Sequence, residues 1–275
     1  MSEEYDRSVG GGEESLARAL AAVAEPAPAE RPAADLALGI LRHIGLPQGA
    51  YDTYALLDGP AGGLYVARHT EALTCAVLRA VAPTSEEFEA RYLAATGRTA
   101  VRTTVPPSGV RTALRTGQAR RLRLDLSALR AAERSALTAV RSIPRGQVRP
   151  VSWIAREAEL TDPAVVVAAV LANPLHLLVP CHRVAYDNGL PCDAAYDPAT
   201  GDALRAAEGL QRGLLHGLAS RHTRYLGSGT TRIYCHPTCA HARRITPPHQ
   251  VPFSSAGSAR RAGFRPCKSC RPAVA

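Results

Sequence analysis

"VPCHRV", residues Val179 to Val184, sets one cysteine between a proline and a His-Arg pair, directly after the apolar run "PLHLL". A buried structural cysteine needs no ionisable neighbour. An attacking cysteine depends on its thiolate fraction and on a base beside it. The stretch therefore raises the question whether Cys181 is a nucleophile, and the residues around it bear on what it would attack.

Upstream, "LSALRAAERSALTAVRSIPRGQV" reads as an amphipathic helix that stops at Ile143-Pro144, with Gly146 in the following turn. "VSWIAREA", the turn "ELTDP" and "AVVVAAVLANP" predict two short helices about four residues apart, a helix-turn-helix. An apolar strand then leads into "PCHRV". After a loop, "GDALRAAEGLQRGLLHGL" reads as one further helix. Nearer the start, "TYALLDGPAGGLYVARH" predicts a hairpin turning at Gly59, Gly62 and Gly63. "SEEFEARYLAATG" predicts a helix capped by Ser85. Residues 1–35, with a glycine run and "PAPAERPAA", read as a disordered segment.

Composition narrows the class. The opening "MSEEYDRSVGGGEES" is acidic and glycine-rich, unlike a secretory signal. The longest charge-free apolar stretch, Pro163 to Cys181, carries three prolines, Asn173 and His176, which excludes a membrane span there. Seven cysteines without a signal point to a reducing compartment and to metal or thiol chemistry rather than disulfides. A cytoplasmic, nucleoid-associated monomer is expected, with no membrane partner. The net charge of +9 is unevenly placed: residues 213–275 hold 10 of the 33 bases and none of the 24 acids. Such a segment is either a disordered basic arm or a folded nucleic-acid binder.

"IPRGQV", the helix-turn-helix, "NP" and "PCHRV" together resemble the O6-alkylguanine-DNA alkyltransferase family, over roughly residues 36–210. The resemblance implies an α/β (α+β) fold: an RNase H-like small subdomain over 36–124 and a winged-helix-like active-site domain over 125–212. It implies that an alkyl group passes irreversibly from a flipped guanine to Cys181. His182 would take the proton through a water, Glu208 would orient His182, and Asn173 would brace the loop that carries the nucleophile. Flipping is needed because the O6 atom is unreachable inside the stack. The departures concern DNA handling. The family's intercalating arginine falls on Ala164 or Val165, its phosphate-contacting tyrosine falls on Val151, and its glycine-rich pocket wall reads "PCDAAYDPATG", with Tyr196 displaced.

Downstream, "YCHPTC" and "RPCKSC" place three residues between Cys235 and Cys239, and two between Cys267 and Cys270. Four thiolates in two close pairs suit a closed tetrahedral zinc site. Only four aromatics, Tyr225, Tyr234, Phe253 and Phe264, are available to the segment's core, so metal binding is expected to fold it. "GTTRIYCHPTC" and "AGFRPCKSCRP" resemble the zinc domain of Ada DNA-repair proteins, placed here over 213–275. The resemblance implies one zinc ion on Cys235, Cys239, Cys267 and Cys270. Cys235 would also accept a methyl group from DNA phosphotriesters. Arg232, Arg243, Arg244, Arg265 and Lys268, near the knuckles, are the expected contacts to double-stranded alkylated DNA. Cys75 reads as a small core residue and Trp153 as packing.

The expectation is a single-turnover methylated-DNA-[protein]-cysteine S-methyltransferase, acting at Cys181 and at Cys235. Two other readings remain open. In one, a non-catalytic zinc-dependent DNA-binding sensor or regulator keeps a degenerate alkyltransferase domain. In the other, a purely structural four-cysteine module only binds DNA.

Overall fold

The hairpin forms where the alternation places it. Strands β1 (Asp52–Gly59) and β2 (Gly62–His69) pair antiparallel from Thr53↔Arg68 to Gly59↔Gly62. The computed structural model describes residues 32–272 of the chain. The expectation of disorder therefore falls largely outside the described residues, and from Pro32 the chain is helical (α1, Pro32–His43).

Strand β3 (Ala72–Leu78) continues the meander and β4 (Ala100–Arg102) adds parallel to β1, giving the order β3-β2-β1-β4. Period-two alternation gives this sheet two buried faces. Tyr54, Tyr65 and Ala67 face helix α2 (Ser85–Thr96), where Phe88 stacks on Tyr65 with centroids 4.8 Å apart. Cys75 packs against the same cluster. The cap of α2 is Thr84, one residue before the expected Ser85, because the Thr84 hydroxyl accepts from the Glu87 amide.

On the other face, Leu57, Leu64, Val66, Ala76 and Leu78 share one core with the helices that follow. After the short α3 (Val110–Thr116) come α4 (Ala131–Arg141), α5 (Val151–Glu157) and α6 (Ala164–Leu171), which contribute Leu137, Ile154 and Val166. The helix-turn-helix is present with a longer turn than expected. Glu159 takes φ 56°, and the Leu160 amide reaches back to the Ala155 carbonyl at 2.8 Å.

Two expectations are corrected. No strand leads directly into Cys181. Residues 174–179 double back, with Leu177 at φ 64° and Val179 N bonded to Leu175 O at 2.9 Å, and Ala76 of β3 meets them through a single bridge to Leu175. The sheet contact is instead made just after the cysteine, where β5 (Arg149–Pro150) pairs parallel with β6 (Val184–Ala185). The further helix is two helices, α7 (Pro198–Ala207) and α8 (Arg212–Ser220). Gly209, at φ 81°, ends α7 in a left-handed turn that bonds Leu210 N to Arg205 O.

The C-terminal unit is a second four-stranded sheet in the order β10-β8-β7-β9, built from β7 (Tyr225–Ser228), β8 (Ile233–Cys235), β9 (Gln250–Phe253) and β10 (Arg265–Pro266). Helix α9 (Ala256–Arg261) packs on it beside Tyr234 and Phe264. The architecture is mixed α/β throughout. Among the described residues, no helix is long and apolar enough to cross a membrane.

Phe88 is 1% exposed and lies within 6 Å, centroid to centroid, of Tyr54, Tyr65 and Tyr92. Phe88→Ala is expected to cost about 3–5 kcal/mol, read as a shift in the urea midpoint.

Candidate functional sites at Cys181 and Cys235

Cys181 opens a 3-10 turn (Cys181–Arg183) between the doubled-back loop and β6. It is fully buried. Asn173 ends the helix-turn-helix and braces this turn from two sides: its Nδ2 donates to Cys181 Sγ at 3.3 Å, and its Oδ1 accepts from Leu175 N at 3.0 Å. Burial pushes the Cys181 thiol up to about 12, against the smaller opposing pull of the Asn173 bond.

His182 is 4% exposed. Its Nε2 lies 3.0 Å from Glu208 Oε1, and its Nδ1 has no hydrogen-bond partner. Burial lowers the imidazole's basicity more than Glu208 raises it, so the ring is neutral near pH 7. With the carboxylate accepting from Nε2–H, Nδ1 keeps its lone pair and can take a proton. Glu208 also accepts from Arg183 Nη2 at 2.7 Å and from the Gly146 amide at 2.8 Å. Burial alone would raise its carboxyl, but the bonds from His182 and Arg183 outweigh this and hold it at about 2.

Asn173, His182 and Glu208 lie together around this turn, and two arginines the sequence reading did not single out complete it. Arg183 pins Glu208 and also donates to the Ile143 carbonyl at 2.7 Å. Arg205, 1% exposed, pairs with Asp193 at 2.7 Å and Asp202 at 2.8 Å, and donates to the His182 carbonyl at 3.4 Å. The i, i+3 spacing of Asp202 and Arg205 was a readable signal, whereas Asp193 was not. Tyr196 is buried with Cys181 in the main core, and its hydroxyl accepts from the Leu177 amide at 3.3 Å. A cavity of about 40 Å³ lies over His182, Arg183 and Glu208, and Cys181 does not line it. That is room for a few waters, not for a base.

Cys235 ends β8. Cys239 follows in the knuckle turn, and Cys267 and Cys270 follow β10. The four sulfurs lie within 4.8 Å of one another, and all four residues are buried. A zinc ion bound at about 2.3 Å to each sulfur requires edges near 3.8 Å, so the donor set fits a zinc tetrahedron with small adjustments. Beside it opens a cavity of about 560 Å³, lined by Cys235 and Cys267 together with Arg244, Arg265, Lys268, His241 and His249. Three of the five predicted basic contacts therefore surround Cys235. Arg232 lies over the Phe264 ring, 5.1 Å from its centroid. Arg243 turns toward the Gly146 turn, its guanidinium 3.6 Å from where a Cβ on that glycine would stand.

The two units meet along β5 and α5. Val148 N donates to the Thr238 hydroxyl at 2.9 Å, which donates in turn to the Val148 carbonyl at 3.2 Å. Trp153 Nε1 donates to the carbonyls of Cys270 at 3.0 Å and Arg271 at 3.1 Å. Trp153 is packing, as expected, but across this seam.

Comparison with known proteins divides the chain in the same way. Residues 131–210 match the family model of the 6-O-methylguanine DNA methyltransferase DNA-binding domain. Residues 220–273 match that of the metal binding domain of Ada. Among solved structures, the O6-methylguanine methyltransferase of Mycobacterium tuberculosis shares 24% identity, with a TM-score of 0.45, over 57% of this chain and 92% of that one. The same organism's OGT in complex with DNA shares 22%, with a TM-score of 0.43, over 59% and 98%. The methyltransferase of Pyrococcus kodakaraensis shares 17%, with a TM-score of 0.42, over 58% and 99%. No curated protein matches the chain. The four cysteines hold a single zinc ion.

Glu208 supplies a pH signature. Its folded-state pKa lies below the unfolded value, so its contribution to stability is complete above about pH 4.5 and is lost as pH falls toward 2. The shift corresponds to roughly 3 kcal/mol. Urea unfolding of the wild type and of Glu208→Gln across pH 2–6 is expected to show the variant less stable at pH 6, with the gap narrowing as the medium is acidified.

Proposed function

Because the chain joins a methylguanine-methyltransferase DNA-binding domain to an Ada-type zinc domain, a DNA alkylation-repair architecture, we propose that it removes methyl groups from DNA onto its own cysteines. Cys235 takes them from phosphotriesters and Cys181 takes alkyl groups from O6-alkylguanine. The observation that carries this reading is the open cavity at Cys235, which joins a zinc-ligating sulfur to Arg244, Arg265 and Lys268.

At Cys235 the three cations would seat the phosphates flanking the lesion. Bound zinc keeps the four sulfurs deprotonated and electron-rich. The Cys235 sulfur attacks the methyl carbon, the C–S bond forms as the C–O bond breaks, and the electron pair leaves on the phosphodiester oxygen. The sulfur becomes a neutral thioether, and the formal charge of the metal site falls from −2 to −1. One less negative charge facing DNA tightens phosphate binding, so the repaired lesion leaves a record in affinity.

At Cys181 the thiol proton would pass to His182 Nδ1 through a water, while Glu208 holds the opposite nitrogen and stabilises the imidazolium. The sulfur then attacks the alkyl carbon, the O6–carbon bond breaks with its electron pair left on O6, and the guanine takes at nitrogen the proton that His182 had received. Burial of Cys181 requires the loop with Leu177 to open before a base can enter. The strained φ of that residue marks where such opening would begin.

One observation favours a second reading for this domain alone. The small cavity, which Cys181 does not line, together with the uncharged outer positions Ala164 and Val165 of α6, suits a scaffold or lesion sensor with an unreactive Cys181. Zinc-loaded protein is to be incubated separately with duplexes bearing O6-methylguanine or methyl phosphotriesters, then digested for peptide mass spectrometry. One added methyl is expected on the Cys235 peptide from the second duplex and on the Cys181 peptide from the first. A clean Cys181 peptide with a methylated Cys235 establishes the scaffold reading, and two clean peptides refute methyl removal altogether.

A further inference from the structure

Arg149 is a buried cation without a carboxylate. It is 2% exposed, lies on β5 and pairs in register with Val184, two residues beyond His182. Its Nη1 donates to its neighbour's carbonyl, that of Val148, at 2.8 Å. Its Nη2 donates to the amide oxygen of Gln147, and its Nε has no partner. Among the described residues it forms no ion pair with Asp or Glu. Neutral acceptors solvate a guanidinium only in part, and a buried charge left in that state is costly unless an opposite charge faces it.

Opposite charge is present on the other side of the seam. Val148, immediately before Arg149, is clasped by Thr238, the residue before the zinc ligand Cys239. Trp153 lies 5.6 Å from the guanidinium through its ring centroid, and its indole N–H holds the carbonyl of the zinc ligand Cys270. Arg149 thus lies between two residues that each grip the chain at or beside a zinc ligand. Burial weakens the charged form of Arg149, and the four zinc-site cysteines, Cys270 first, then Cys239, Cys235 and Cys267, offset this only in part.

We propose that Arg149, supplied by the alkyltransferase domain, is the outer-sphere counter-ion of the zinc-tetrathiolate site in the other domain. The zinc site carries a formal −2 with four thiolates, and Arg149 reduces the buried total to −1. Zinc affinity then depends on a residue outside the zinc domain. Methylation of Cys235 would bring the combined charge to zero and weaken the attraction that holds β5 against the knuckle. Because β5 pairs with β6, whose first residue follows the Cys181 turn, a charge change at one reactive cysteine is felt at the strand supporting the other. Zinc retention is independent of whether either cysteine accepts a methyl group, so the proposal stands or falls apart from the repair reading.

The test is the zinc affinity of the full chain, measured by competition with a chromophoric chelator in Arg149→Gln, Arg149→Lys and Trp153→Phe. Outer-shell partners of metal ligands are typically worth 10–100-fold in affinity. Arg149→Gln is expected to lose about that much and Arg149→Lys to stay near wild type, while Trp153→Phe, which breaks the bond to the Cys270 carbonyl but keeps the charge, is expected to lose clearly less than Arg149→Gln. Wild-type affinity in Arg149→Gln overturns the proposal. So does an equal loss in Arg149→Gln and Trp153→Phe, which would assign the effect to packing. If Arg149→Gln does not give folded protein, Arg149→Lys decides: near-wild-type affinity supports the charge, and a tenfold loss overturns it.

Discussion

The carboxylate of Glu208 is the point on which three segments converge. It accepts from the Gly146 amide, from His182 and from Arg183, so the turn after α4, the turn bearing Cys181 and the end of α7 converge on two oxygen atoms. A buried carboxylate with this many donors is stable only while all of them are present, because each lost donor leaves part of a charge unsolvated. Ending α7 at Ala207 and turning at Gly209 leaves Glu208 at the C-cap, where its side chain reaches inward.

Features set by near neighbours were legible in the sequence. The hairpin from Asp52 to His69, helix Ser85–Thr96 and the two helices of the helix-turn-helix follow from periodicity, caps and glycines within a few residues of one another. The four zinc cysteines were legible because two paired knuckles have few alternative readings. Asn173 and Glu208 were reached only through the resemblance around "PCHRV". What stayed hidden depends on distant partners. The apolar run before Cys181 looks like a strand, but its neighbour β3 pairs mainly with β2, and the run doubles back. Arg149 looks like an ordinary surface base until the zinc domain closes over it.

The two cysteine centres solve opposite problems. Cys181 is fully buried and held by Asn173, and burial keeps its thiol protonated. Cys235, itself buried, stands at the wall of an open cavity lined by Arg244, Arg265 and Lys268. Between them the seam uses both faces of a short segment: the backbone of Val148 and the indole of Trp153 bind the knuckles, while Arg149 and Pro150 pair with the strand after Cys181. The first helix of the helix-turn-helix is therefore partly occupied by the zinc domain, whereas α6 keeps its C-terminal Leu171 69% exposed.

Trp153 is the chain's one tryptophan, and its single N–H is shared between two carbonyls of the other unit. Indole emission depends on the polarity and hydrogen bonding of the ring's surroundings. Nearly all of the native protein's long-wavelength fluorescence therefore originates at the junction of its two halves. The molecule carries its own optical gauge of whether they are joined, and no label is needed to read it.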